Sequence, residues 1–254
     1  MKVMRQLNRL AAGSAVAAIA AVAGAGLAQA DGMPGKRVVY EKPWDWGGLY
    51  FGAQAGWQWS DIDVGFPLFG TGFGVSHDSP VAGGQIGIQH QFGHIVVGVE
   101  GNLISTYQNN PGSETCPNPA FNCSARLDDI LTVGPRIGYA MGKWMPYLTG
   151  GYANGAFQYV ARNVGTQTKF EEARERLQGW YVGAGVDMAL SHGWTVGLEY
   201  RHYDFDEGTA TIFNPAGTNV GTSGLAQFDT TVDTLALRVS WKLGRPEPAA
   251  KPMK

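Results

Sequence analysis

The sequence predicts an all-β protein: an eight-stranded antiparallel up-and-down β-barrel that crosses a membrane with its strands. Three observations carry this expectation. Eight successive segments alternate apolar residues with small or polar ones. The connections between them alternate between tight and long. Beyond residue 30, no apolar run reaches the ~20 residues that a membrane helix needs.

Composition narrows the classes further. Glycine reaches 37 of 254 residues, roughly twice ordinary usage, and charged residues fall to 16% where about 25% is typical. Hydrophobic content is ordinary at 44%, and 8 Trp, 10 Tyr and 11 Phe argue against a disordered chain. The 19 cations nearly balance the 21 anions, but Lys2, Arg5 and Arg9 lie at the N-terminus. Without residues 1–30 the remainder carries 16 cations against 21 anions, net −5. No basic surface remains for nucleic acid.

The N-terminus reads as an export signal. Three cations precede an Ala-rich apolar stretch from Leu10 to Leu27, and Ala28-Gln29-Ala30 presents small residues to a signal peptidase. Cleavage is expected between Ala30 and Asp31, leaving residues 31–45 as a periplasmic segment, 46–243 as the barrel and 244–254 as a Pro-rich periplasmic tail. In an exported chain, Cys116 and Cys123 read as a structural disulfide.

Successive side chains of a strand point to opposite faces, so each segment sorts its residues into two sets. In the first, Leu49, Phe51, Ala53, Ala55, Trp57 and Trp59 oppose Tyr50, Gly52, Gln54, Gly56 and Gln58. The second, Ala82–Phe92, sets Ile86 and Ile88 against Gln85, Gly87 and Gln89. The third sets Ile95, Val97, Val99 and Leu103 against Gly98, Glu100 and Asn102. The fourth sets Leu131, Val133, Pro135, Ile137 and Tyr139 against Thr132, Gly134, Arg136 and Gly138. The fifth, near 144–159, is less regular, with Tyr147 and Tyr152 on opposite phases. The sixth sets Trp180, Val182, Ala184, Val186 and Met188 against Tyr181, Gly183, Gly185 and Asp187. The seventh sets Trp194, Val196, Leu198 and Tyr200 against Gly197, Glu199 and Arg201. The eighth sets Leu235, Leu237, Val239, Trp241 and Leu243 against Ala236, Arg238 and Ser240.

The second, fourth and sixth segments are followed by tight turns at Phe92-Gly93-His94, Met141-Gly142-Lys143 and Ser191-His192-Gly193. The other connections span about 18, 18, 15 and 22 polar residues. Short turns on one side and long loops on the other suit an outer-membrane barrel, and hydrocarbon forces such a sheet to close on itself. Trp46, Trp57, Trp59, Trp144, Trp180, Trp194 and Trp241 lie near strand ends, where aromatic girdles form. The polar set carries Gly and Gln and few of the Lys and Glu that would solubilise an outer surface, so it faces the lumen.

That phase sends Glu100, Arg136, Asp187, Glu199, Arg201 and Arg238 inward. The lumen of an eight-stranded barrel barely holds side chains, and a lone buried charge costs several kcal/mol. An internal ion-pair network that plugs the barrel is therefore expected.

The segments WGGLYFGAQAGW, MPYLTGGYANG and GWYVGAGVDMALSHGWTVGLEYRHYDF resemble the small outer-membrane β-barrel proteins of alphaproteobacteria. These are the 25- and 31-kilodalton major surface proteins, grouped as "porin family" or opacity-like. The resemblance covers about residues 44–243 and implies a location in the outer membrane and insertion by the barrel-assembly machinery. The family ends on an aromatic residue; here Leu243 holds that place, Trp241 is the nearest substitute, and GRPEPAAKPMK follows. The tail reads as an inert end or as a tether toward the cell wall.

A structural envelope protein with a plugged lumen is the first reading, as a monomer among outer-membrane lipid and lipopolysaccharide. A narrow porin is the alternative, and loop-mediated binding of haem (through His77 or His202) or of a host ligand is the third. Catalysis is not expected. His94 and His192 fall at periplasmic turns, and no Ser accompanies His202 and Asp204. No cofactor or metal site is expected. The cluster Lys169-Phe-Glu-Glu-Ala-Arg-Glu-Arg176 reads as a short helix or a strand extension at the outer surface.

Overall fold

A computed structural model describes residues 44–66, 70–107, 114–115, 121–166, 168–211 and 225–243. The expected cleavage site at Ala30 and Asp31, nearly all of the 31–45 segment, Cys116 and the 244–254 tail lie outside these residues.

The strands are β1 (Gly48–Phe66), β2 (Thr71–Phe92), β3 (Ile95–Thr106), a two-residue β4 (Glu114–Thr115), β5 (Phe121–Tyr139), β6 (Trp144–Asn163), β7 (Lys169–Ala189), β8 (Trp194–Thr211) and β9 (Leu225–Leu243). Neighbours in the sheet follow the order β3-β2-β1-β9-β8-β7-β6-β5-β4. A further antiparallel pairing of β3 with β5, from Ile95↔Tyr139 to Ser105↔Asp129, joins the two ends. Eight strands thus form a ring without a free edge, and β4 adds a short pairing onto β5.

Turns and strands follow from local chemistry. At the tight turns, Gly93 (φ 62°) and Gly142 (φ 63°) take the left-handed conformation that residues with a Cβ rarely adopt. Around the ring, Phe51, Ile88, Val99, Leu131, Ile137, Leu148, Val182, Leu198 and Leu237 are exposed. A belt of apolar residues facing out over a polar interior is the inverse of a water-soluble sheet and matches a lipid-facing wall.

Two expectations need correction. Two of the long connections are largely strand. Only residues 67–70 separate β1 from β2, and 164–168 separate β6 from β7. At ~3.3 Å per residue, strands of 18–22 residues run well beyond the ~25 Å apolar band. Above the membrane their outward face becomes polar while pairing continues, so polarity alone misplaces the strand ends. Of the two readings of Lys169–Arg176, the strand extension holds: the segment is part of β7.

The second correction concerns Trp46. It is 1% exposed and belongs to no girdle. It sits beside Trp44, ring centroids 6.2 Å apart, in a cluster with Val96, Ala140, Met145, Tyr147 and Ala189 at the short-turn end. Trp46 precedes β1, and its backbone is tied inward: its amide donates to Gln91 Oε1 (2.8 Å) and its carbonyl accepts from Gln89 Nε2 (2.6 Å). Trp57, Trp59 and Trp180 are exposed toward the long-loop end, and Trp144 and Trp194 toward the short-turn end. Trp241 is half-buried against Phe51 and donates to the His192 carbonyl.

Candidate functional site

The interior is layered. Trp46 and Met145 close the short-turn end. Toward the long-loop end the inward side chains turn apolar, with Ile62, Leu127, Ile130, Phe157, Tyr159, Phe205, Phe228 and Val232 packed together. The charged residues lie between these layers.

All six predicted lumen charges are buried there and make one connected network. Glu100 is its hub, 0% exposed. Its carboxylate meets all three guanidiniums: Arg201 Nη2 at 2.8 Å, Arg136 Nη1 at 3.3 Å, and Arg238. Arg136 also pairs with Asp187, and Arg238 with Glu199. Arg201 Nε lies 2.6 Å from Glu199 Oε1. Three cations therefore face three carboxylates, and the network is neutral as a whole. Taking charges out of water is costly, and only such mutual pairing with extra hydrogen bonds offsets it.

The extra bonds come from uncharged residues, most of them on the same inward phase. Tyr50 Oη donates to Glu100 Oε2 (2.7 Å), and Tyr147 Oη donates to Glu199 Oε2 (2.8 Å). Asn102 Nδ2 donates to Glu100 Oε1, and Arg201 Nη1 donates to Thr132 Oγ1. The Arg136 guanidinium lies 3.5 Å from the Tyr147 ring centroid, in cation–π contact. Tyr147 is 3% exposed and Tyr152 45% exposed, which resolves the ambiguous phase of β6. Both tyrosines were visible as residues on the Gly- and Gln-rich phase or out of step with it. Their partners were not.

Register explains how such large groups fit. Every one of the six charges has a glycine as cross-strand neighbour. Glu100 lies between Gly87 and Gly134; Arg136 pairs Gly98, and Arg201 pairs Gly183. Glu199 pairs Gly185, and Asp187 and Arg238 flank Gly197 from either side. A Cβ built on Gly87 would lie 2.4 Å from Tyr50 Oη, and one on Gly185 would lie 2.5 Å from Tyr147 Oη. Both rings occupy space that only glycine leaves open.

Among the described residues, no group of three or more His, Cys, Asp or Glu could hold a metal. His77 shares its phase with the buried Val75 and Ser79, whereas His202 is on the outward phase of β8. The two histidines thus lie on opposite faces of the wall and do not form one haem site. His202 pairs with Asp233, Nδ1 to Oδ1 at 2.8 Å, and not with Asp204. Cys123 is buried and disulfide-bonded, with its sulfur 3.2 Å from Tyr159 Oη; its expected partner lies outside the described residues.

A closed ring, an outward apolar belt and a charged interior meet what one family of proteins requires. The family model for the outer membrane protein beta-barrel domain matches residues 14–242. The chain belongs to this family. Curated relatives agree with that placement. The 25 kDa outer-membrane immunogenic protein of Brucella ovis is 28% identical over 162 residues, covering 64% of this chain and 71% of that protein. The 31 kDa outer-membrane immunogenic protein of Brucella melitensis is 26% identical over 171 residues, covering 63% and 71%. The 22 kDa outer membrane protein of Rhizobium leguminosarum bv. viciae is 28% identical over 162 residues, covering 63% and 64%. This outer-membrane β-barrel protein accordingly resides in the Gram-negative outer membrane, among small alphaproteobacterial relatives.

Proposed function

We propose that this chain is a structural, non-catalytic envelope protein whose filled lumen conducts neither ions nor solutes. The neutral six-charge network between two apolar layers carries this reading. A conducting path needs a continuous column of water along its length. Here each lumen charge is committed to a counter-charge, and aromatic side chains pack above and below. Next to Tyr50, Arg136 and Asp187, one interior cavity offers about 20 Å³. That is room for about one water, which needs ~10–15 Å³, and less than a hydrated ion requires.

Planar-bilayer recording tests the reading. The folded wild-type protein is expected to give no steady conductance. A triple Glu100→Ala, Arg201→Ala, Arg238→Ala variant, with its lumen hollowed, is expected to show small open events. A steady conductance in the wild type would overturn the filled-lumen reading and favour the narrow porin.

A further inference from the structure

We propose that the outer wall of β5, β6 and β7 holds a site for the phosphate of an outer-leaflet lipid headgroup, centred on Arg126, Arg174 and Arg176. The register places Arg126, Gln158 and Arg174 in one row across three adjacent strands. Arg176 lies one outward position nearer the membrane, paired with Ala156. A bulge in β5 between Leu127 and Ile130 inserts one extra residue and brings Asp128 and Asp129 to the same place. Bulges bend a strand locally. With the small Ala156 in the lining, the result is a groove of about 560 Å³ on the wall.

The arginines are partly held and partly free. Arg126 Nη2 donates to Gln158 Oε1 (2.6 Å), and its Nε lies 2.8 Å from Asp128 Oδ1. Arg176 Nη1 donates to Asn154 Oδ1 (3.0 Å). Both keep a second terminal nitrogen available. Arg174 is exposed and has no ion-pair or hydrogen-bond partner among the described residues. A guanidinium is a planar fork matched to phosphate oxygens, and several forks around one groove can share a single phosphate. Asp128, Asp129 and Glu175 also line the groove, so three carboxylates balance the three arginines, and a bound phosphate would share the groove with its counter-cation.

Depth selects the source of that phosphate. Tyr152 and Trp180 are paired, exposed aromatics at the outer girdle. Arg176 and Arg174 lie four and six residues farther along β7. At ~3.3 Å per residue and a tilt near 40°, this is roughly 10 and 15 Å above the girdle, outside a headgroup zone of about 5–8 Å but close enough for the long Arg176 side chain to reach back into it. The charge is also one-sided. On β1, β2, β8 and β9 the outward positions at similar height carry Asp61, Asp63, Asp78, Asp204, Asp206, Asp229 and Asp233, and no Lys or Arg. A second copy could oppose that acidic wall to this groove. However, its aspartates are short side chains, and the groove's own Asp128, Asp129 and Glu175 would repel them. The inference rests on the outer-membrane location and is independent of whether the lumen conducts.

The test uses the full mature protein, folded in detergent doped with bisphosphorylated lipid A and followed by native mass spectrometry. Wild type is expected to retain one lipid A per barrel. Arg126→Gln, Arg174→Gln, Arg176→Gln together should reduce retention at least tenfold, while Asp61→Asn, Asp63→Asn should leave it unchanged. Dephosphorylated lipid A should not be retained, and millimolar inorganic phosphate should not displace the lipid. Equal retention by the triple variant, or of the dephosphorylated lipid, overturns the proposal. Displacement by inorganic phosphate would reassign the site to a soluble anion. Salt-sensitive dimers lost in the triple variant, with lipid retention unchanged, would reassign it to a second copy. Heat-dependent gel mobility verifies folding. If the triple variant does not fold, Arg174→Gln alone breaks no described contact and should still lower retention severalfold.

Discussion

Glu100→Gln is the sharpest perturbation of the network. The side chain keeps its size, yet one carboxylate of three disappears and the buried network changes from neutral to +1. Arg201 loses its 2.8 Å partner, and the contacts of Arg136 and Arg238 with the same carboxylate weaken. One amide nitrogen would now face guanidinium donors. Breaking a buried ion pair by removing one partner costs about 3–5 kcal/mol, because the remaining charge is stranded. With a urea m-value of about 2 kcal/mol/M, the unfolding midpoint should fall by roughly 1.5–2.5 M. Tryptophan fluorescence of the protein in lipid vesicles reports the transition. Arg201→Gln leaves the network at −1 and should be costly too. The double variant is neutral again and keeps the Arg136–Asp187 and Arg238–Glu199 pairs. Its cost should fall short of the sum of the two by more than about 2 kcal/mol, near the upper end of measured couplings. A Glu100→Gln midpoint within about 0.3 M of wild type, or an additive double variant, would refute the network as a stabilising unit.

Two further outcomes follow from packing. Gly185→Ala adds a methyl that meets Tyr147 Oη at 2.5 Å, and such overpacking costs about 1–3 kcal/mol. Trimming the ring as well, with Tyr147→Leu, should remove much of the added cost, and a double variant no better than the sum would argue against the clash. Val99→Arg places a charge in the lipid-facing belt beside Ile88 and Pro135 and should cost about 2–4 kcal/mol, against about 0–1 for Thr231→Arg near the outer rim. Equal costs at the two positions, read from urea midpoints in vesicles, would contradict the assigned membrane depth.

Much of the barrel was legible because its period is two and its environments are opposites. Lipid selects Ile86, Val99, Ile137 and Leu237, the lumen selects Gln85, Glu100, Arg136 and Arg238, and a strand shows both selections in one reading. The strand ends were not legible. Above the membrane the solvent accepts what the lumen accepts, so the contrast that marks a wall fades while pairing continues. Trp46 was misplaced for a related reason. It precedes β1, and no alternation says which way it turns until Gln89 and Gln91 hold its backbone. The apolar filling around Phe157, Phe205 and Phe228 was missed because those residues occupy the inward phase beyond the charged layer.

By itself, the sequence determined which face of the wall each of the six charges occupies. Side-chain phase is a local property of the strand, set by parity alone. The tertiary structure decided which charge meets which. Glu100, Arg201 and Arg238 come from three strands, up to 138 residues apart, and converge only because closure of the ring fixes the register of every pair. The same closure sets a glycine opposite each charge and turns a list of inward residues into a neutral, packed interior.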